Sequence, residues 1–296
     1  MLELNRKIRA AQLLTLHDAL FLCPHCRGTL HLSDDHSMVC PANHRFDLAR
    51  DGYLPLLGRP YTGSERYDRE LFIARRRVHQ FGFFQPLQEA IEQELRPLTS
   101  ACQLYRLLDA GCGEGSLLAD LISRLVTRTE APILGVGLDL AKDAILTAAK
   151  QDAASTLWCV GDLAAVPCAS QSFDVILNIL SPSNYPSFHR LLAPGGQVIK
   201  VMPGPHYLQE LRQLLYGDHT VPMKGTASMA RFRDAFPVCR QRRITGRMVL
   251  EGPLIHDMLR MTPLAWRAPA AALEAIHRLG QLEVTLDWVL VVGQSN

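Results

Sequence analysis

The stretch "LYRLLDAGCGEGSLLADLISRLV", residues 104–126, decides the fold. A short apolar run ends in Asp109, glycines stand at Gly111, Gly113 and Gly115, and leucines and isoleucine then recur at helical spacing. That order predicts a strand, a tight turn and a helix. Alternate glycines permit positive φ and place no Cβ between the backbone and a neighbour, so a ligand can approach the chain closely. A dinucleotide fingerprint requires G-x-G-x-x-G, whereas here the sixth position is Ser116 and the third glycine comes one residue early.

Downstream, "ILGVGLD" ends in Asp139, 24 positions beyond Gly115, where a second-strand carboxylate accepts the hydrogens of both ribose hydroxyls. The runs "TLWCVGD", "FDVILNIL" and "GGQVIKVM" follow, with helical segments between several of them. Such alternation predicts a parallel sheet with helices on both faces. The last run, "LEVTLDWVLVVG", has no helix after it and is expected to be antiparallel. Asp109 ahead of the turn suits a ligand amine better than a pyrophosphate, and Asp162 and Leu163 after the third strand are expected beside an adenine. Together the acids and glycines favour S-adenosylmethionine over a nicotinamide dinucleotide.

Upstream lies "CPHCRGTLHLSDDHSMVCPANHRFD", residues 23–47. Cys23 and Cys26 form C-x2-C, and after thirteen residues Cys40 and His44 form C-x3-H. Two close pairs can surround one tetrahedral zinc ion, and four protein ligands leave no place for a reactive water, so the ion is expected to be structural. His36 is the alternative fourth ligand; His25 and His31 read as loop residues. The other five cysteines (Cys102, Cys112, Cys159, Cys168, Cys239) are scattered through apolar segments, as reduced intracellular thiols are.

The expected organisation is an N-terminal extension (1–20), helical over 5–20, a zinc module (21–60), a helical linker region (61–100) and the catalytic domain (101–296). "GRPYTGSERYD" reads as a linker near 58–68, and Gly82 and Pro86 bend the apolar pattern of 69–95 into two helices. At 296 residues, 48% hydrophobic and 20% charged, the chain can bury a sizeable core. No apolar run approaches the ~20 residues that span a bilayer, and "MLELNRKIRA" lacks a signal-peptide apolar region, so a cytoplasmic protein is expected. A net charge of +2 does not announce a nucleic-acid partner, although "ARRRVHQ" and "CRQRRITGR" concentrate arginine.

The chain resembles the RlmA-type 23S rRNA guanine-N1 methyltransferases, including their tylosin-resistance branch, from Cys23 onward. The resemblance is carried by "CPHC" and "CPANHRFDLARDGYLPLL", by "ELFIARR", "GFFQPL" and "DAGCGEG", and by "LLAPGG", "MPGPHYLQEL" and "MTPLAWRA". "YDRELFIARR" is closer to the Gram-positive branch. The resemblance implies an α/β, class I S-adenosylmethionine-dependent methyltransferase, with a Rossmann-like seven-stranded sheet joined to the zinc module. It also implies a homodimer whose cleft takes a 23S rRNA hairpin. By position it implies zinc on Cys23, Cys26, Cys40 and His44, cofactor contacts at Gly113 and Glu114, and Phe84 and Tyr207 beside the cofactor. Phe84 stands where the family often has tyrosine and Tyr207 where it often has histidine.

The reaction expected is methyl transfer to N1 of a guanine in a hairpin loop, an in-line displacement helped by removal of the N1 proton. Asn178, after the fourth strand, is either an acceptor- or cofactor-facing amide or a turn residue. His206 is either a base or the surface of a helix start. Arg75, Arg76 and Arg77 are candidates for RNA phosphates and Trp266 for base stacking, against the plainer readings of solubility and core packing. Two other functions fit the same sequence: a small-molecule methyltransferase, and a catalytically silent RNA- or ribosome-binding homologue.

Overall fold

The computed structural model describes residues 2–59, 67–95, 104–151, 153–217 and 225–294. Most of the expected linker and Cys102 lie outside the described residues. The chain opens with helix α1 (Leu2–His17) and a three-stranded antiparallel sheet, β1 (His31–Leu32), β2 (Ser37–Val39) and β3 (Arg45–Asp47). Strand β4 (Tyr53–Pro55) and helices α2 (Arg69–Gln80) and α3 (Gln85–Leu95) follow. Next come β5 (Tyr105–Ala110), α4 (Ser116–Val126), β6 (Ile133–Asp139), α5 (Lys142–Ala148), β7 (Thr156–Val160), β8 (Phe173–Ile179), α6 (Tyr185–Leu191) and β9 (Leu192–Pro203). The chain closes with α7 (Gln209–Tyr216), α8 (Gly225–Ala235), β10 (Cys239–Glu251), α9 (Gly252–Met261), α10 (Ala270–His277) and β11 (Gln281–Gln294).

The main sheet has the order β10-β11-β9-β8-β5-β6-β7-β4. Strands β4 to β9 pair in parallel, and β11 runs antiparallel to both β9 and β10. Seven strands, β5 to β11, are those that the resemblance implies. The eighth, β4, comes from the zinc-bearing segment and pairs Tyr53 with Trp158. It covers the edge of β7, whose backbone groups would otherwise stand open to pairing. Strand β10 was not expected from the sequence, because little but Ile244 and Leu250 along it is buried.

Alternate strand residues feed two cores, as a period of two requires. Leu107, Val175, Leu177 and Ile199 meet α3, α4, α7 and α9 on one face. Leu108, Val136, Cys159 and Ile176 meet α6 and α8 on the other, together with Ala10, Ala11 and Leu14 of α1 and with Met38, Cys40 and Phe46 of the zinc-bearing segment. The N-terminal segment, whose role the sequence leaves unread, is therefore a cover for one face of the sheet. In the helical linker region, α2 and α3 also pack inward: Phe83, Leu87 and Ile91 are buried, and the bend falls at Gly82, where φ is +95°. Among the described residues, no helix is long and apolar enough to cross a membrane.

The strand order reverses at β5, with β6 on one side and β8 on the other. A crevice opens beyond the C-terminal ends of strands at such a switch point, and the glycine turn lies there.

Candidate cofactor pocket and zinc centre

All three glycines of the turn have left-handed φ: +89° at Gly111, +57° at Gly113 and +78° at Gly115. They answer to different neighbours. A Cβ on Gly111 would lie 2.7 Å from Ser181, and one on Gly115 would lie 2.5 Å from the Trp158 ring, so these two are demanded by the protein's own packing. A Cβ on Gly113 would instead meet the Arg75 guanidinium at 3.1 Å.

Three acids surround the turn. Asp109 is 3% exposed, and its Oδ1 has no hydrogen-bond partner. Burial pushes its carboxyl up to about 7, against the opposing charge of Arg75 and with the help of Asp139 and Glu114. An orphaned buried carboxylate oxygen is costly unless a ligand satisfies it, and an ammonium does so. Asp139 accepts from the Gly113 amide and the Ala141 amide, each at 2.9 Å, through different oxygens. Each oxygen keeps a lone pair for a hydroxyl. Burial raises this carboxyl too. Glu114 is buried, with Arg75 Nε at 3.4 Å. These residues fit the amine and ribose of S-adenosylmethionine.

Leu163 reaches within 3.7 Å of the Cβ position at Gly111, while Asp162 is exposed and caps the following turn through the Ala164 amide. Phe84 and Tyr207 are brought together: their ring centroids lie 6.1 and 6.0 Å from that of Trp288. Burial pushes the Tyr207 phenol up, and Arg75 opposes it. Trp288 was not singled out from the sequence; it is fully buried and its Nε1 lacks a partner.

Asn178 is also fully buried, but its amide is consumed within the chain. Nδ2 has three acceptors within reach of its two hydrogens, the Ala110 and Pro182 carbonyls and Ser181 Oγ, and Oδ1 accepts from Ser183 and from Lys200 Nζ, both at 2.7 Å. No polar atom of Asn178 remains for a substrate or cofactor, so the geometry supports the turn-residue reading. Lys200, 3% exposed, was missed, although a lysine inside "QVIKVM" is a visible signal. Burial lowers its ammonium to about 8.

His206 is exposed on the loop after β9. Its backbone amide donates to Asp287 at 2.7 Å, and Nδ1 lies 2.9 Å from Gln209 Oε1. Because that oxygen only accepts, Nδ1 is the donor in this contact. Asp287, unnoticed in the sequence, also binds Arg243 through two contacts of 2.8 and 2.9 Å.

The three consecutive arginines diverge. Arg75 turns toward the glycine turn, whereas Arg76 and Arg77 line a cavity of about 270 Å³ with Arg69, Lys150, Ile73 and Leu146. Arg76 also borders a neighbouring polar groove of about 490 Å³ that runs past Ser116, Ser123 and Arg124. Trp266 is half-buried, edge-on to Tyr67 at 5.2 Å, and packs against Leu71, Phe72 and Ala144.

The four expected zinc ligands meet: their ligand atoms all lie within 4.8 Å of one another. Cys23 Sγ and Cys40 Sγ are 3.5 and 3.3 Å from His44 Nδ1, and Cys26 Sγ is 3.5 Å from Cys40 Sγ. Tetrahedral zinc, with bonds of about 2.0–2.3 Å, has edges of about 3.5–3.8 Å, so the set fits the ion. Two tight turns build it, with left-handed φ at Arg27 and Asn43. His36 sits apart, in the turn between β1 and β2.

Residues 21–59 match the family model of the RlmA N-terminal zinc ribbon, and residues 107–196 match a methyltransferase domain. YxjB of Bacillus subtilis, assigned to the 23S rRNA (guanine-N(1)-)-methyltransferases, is 38% identical over 284 residues, 95% of this chain and 99% of that protein. The 23S rRNA (guanine(748)-N(1))-methyltransferase of Streptomyces fradiae is 28% identical over 276 residues, covering 91% and 95% of the two chains. Among solved structures, YcgJ of Bacillus subtilis superposes with a TM-score of 0.47 at 16% identity, over 70% of this chain and 99% of that one. A zinc ribbon and a methyltransferase turn on one chain, aligned with YxjB from end to end, place this protein in the RlmA-type 23S rRNA (guanine-N1)-methyltransferase family.

Proposed function

We propose that the protein transfers a methyl group from S-adenosylmethionine to N1 of a guanine in a hairpin loop of 23S rRNA. The observation that carries the reading is the orphaned Asp109 oxygen at a glycine turn braced by Asp139, in a chain of this family. The cofactor supplies an electrophilic methyl on a sulfonium. The protein's part is to hold and align. Asp109 takes the amine, Asp139 the ribose hydroxyls, and Phe84, Tyr207 and Trp288 form an aromatic wall that keeps water out. Asn178 fixes the loop after β8 by tying Ala110, Pro182 and Lys200 together.

Guanine N1 carries a proton that must leave. His206, exposed and one residue from Tyr207, is the imidazole we assign to that proton. A loop base is favoured because its Watson–Crick edge is open, whereas a paired guanine must first be extruded at a cost of a few kcal/mol. Arg69, Arg76 and Lys150 supply the charge for the RNA backbone, while Arg77 is held by Asp257. Family likeness supports a cytoplasmic homodimer, which sedimentation of the purified protein tests.

Incubation with methyl-labelled S-adenosylmethionine and 23S rRNA is expected to label the RNA and to produce a reverse-transcriptase stop beside one guanine. Unlabelled RNA with no stop refutes the assignment, and label passing instead to a metabolite extract supports a small-molecule enzyme.

A further inference from the structure

We infer that Arg75 is the seat of the cofactor's amino-acid carboxylate, rather than an RNA contact or a solubilising charge. The argument is one of charge. Asp109, Glu114 and Asp139 crowd around the glycine turn; Asp109 and Glu114 are each 3% exposed, and Asp139 is partly buried. S-adenosylmethionine brings an ammonium and a sulfonium, which such a pocket welcomes, and a carboxylate, which it repels. A carboxylate entering there needs a cation or a set of N–H donors beside it.

Arg75 is the cation present. Among the described residues, its positive charge acts on Asp109, on Asp139 and on Tyr207 alike. Its Nε lies 3.4 Å from Glu114, its Nη1 faces Gly113, and its side chain is 28% exposed. A guanidinium offers five donors in a planar fork, so a contact to Glu114 through Nε leaves other N–H groups for a second carboxylate. Gly113 is the one glycine of the turn whose missing Cβ faces Arg75 rather than packed core, so the guanidinium comes right up to the backbone of the turn, where a Cβ would lie 3.1 Å from Nη1. The rival seat is the row of free amides in the first turn of α4, which also attracts anions.

Calorimetry on the full chain with two probes, S-adenosylmethionine and its decarboxylated analogue, separates these possibilities. The analogue keeps the adenosine, sulfonium and ammonium and lacks only the carboxylate. Arg75→Ala is expected to weaken S-adenosylmethionine on the order of 10- to 100-fold, the range for losing a charged hydrogen-bond partner. The decarboxylated probe should bind within about threefold of its wild-type affinity, or more tightly, because a competing cation has left the acids. Arg75→Lys should fall between, since a point charge replaces the fork. Equal losses for both probes would assign Arg75 to packing, and an undiminished affinity for S-adenosylmethionine would move the carboxylate to the α4 amides. Either result overturns the inference. Comparing two probes on one variant keeps the readout valid even if part of the sample is misfolded.

Discussion

Arginine is concentrated in two places, α2 and β10, and the two differ in whether the charge is already spent. On β10, Arg240 bonds Glu94 at 2.5 Å, Arg242 bonds Gln93 at 2.6 Å, Arg243 grips Asp287 and Arg247 bonds Glu283 at 2.9 Å. These contacts fasten the edge of the sheet to α3 and to β11. On α2, Arg75 turns inward and Arg77 touches Asp257 at 3.3 Å, whereas Arg69 and Arg76 of that helix, and Lys150 just after α5, meet no carboxylate at ion-pair distance among the described residues. Like charges gathered around one cavity repel one another until an anion arrives. If the proposed function holds, unspent charge rather than local arginine content is what a phosphate backbone would meet.

The sharpest test of the spent arginines is Asp287→Ala, expected to cost about 2–3 kcal/mol of stability because it strips partners from Arg243 and from the His206 amide at a fully buried position. Burial raises the Asp287 carboxyl, but the Arg243 hydrogen bonds and the His206 amide together outweigh it and hold the acid below its ordinary value. The contribution is therefore present above the unfolded aspartate pKa of about 3.9 and is lost as pH falls through the lower folded value. Urea titrations between pH 3 and 7 should show that loss in the wild type and not in the variant. A cost under about 0.5 kcal/mol would mean that the β10 arginines are not structural.

The unspent arginines are tested on RNA. Arg76→Glu and Lys150→Glu should each weaken binding of a 23S rRNA hairpin by about tenfold and lower the salt dependence by roughly one unit of slope, while leaving S-adenosylmethionine affinity alone. Filter binding across a salt series would read both quantities. Unchanged RNA affinity would erase the distinction between the two runs.

What the sequence made legible was local. The zinc ligands lie within 22 residues, from Cys23 to His44, and the two pairs announce themselves by spacing. The strand–turn–helix around Gly113 and the acid at Asp139 are read from periodicity alone. Consecutive helical residues point about 100° apart, so "ARRR" cannot say which arginine faces inward; packing of α2 against α5 and α9 decides that. The β10 arginines read as solvated charge because their partners are remote: Glu94 lies 146 positions from Arg240. Asn178 was legible in type and place, but the direction of its amide depends on Lys200, 22 positions away on the neighbouring strand. β4 is too short at three residues to register as a strand until the edge of β7 is there to receive it.

Arg240→Ala should have the smallest effect, and for that reason it probes the comparison most directly. Its guanidinium is 54% exposed beside Glu94, which is 18% exposed, so solvent screens the pair and the ordering of a long side chain offsets much of the attraction. The expected loss of stability is below about 1 kcal/mol, shrinking further in high salt. RNA affinity should stay within about twofold of the wild type, because a guanidinium already held by a carboxylate releases few counterions when a phosphate approaches. Measured beside Arg76→Glu on the same hairpin, a tenfold loss for Arg240→Ala would show that pairing does not retire an arginine from RNA binding, and the footprint would then extend across the β10 edge.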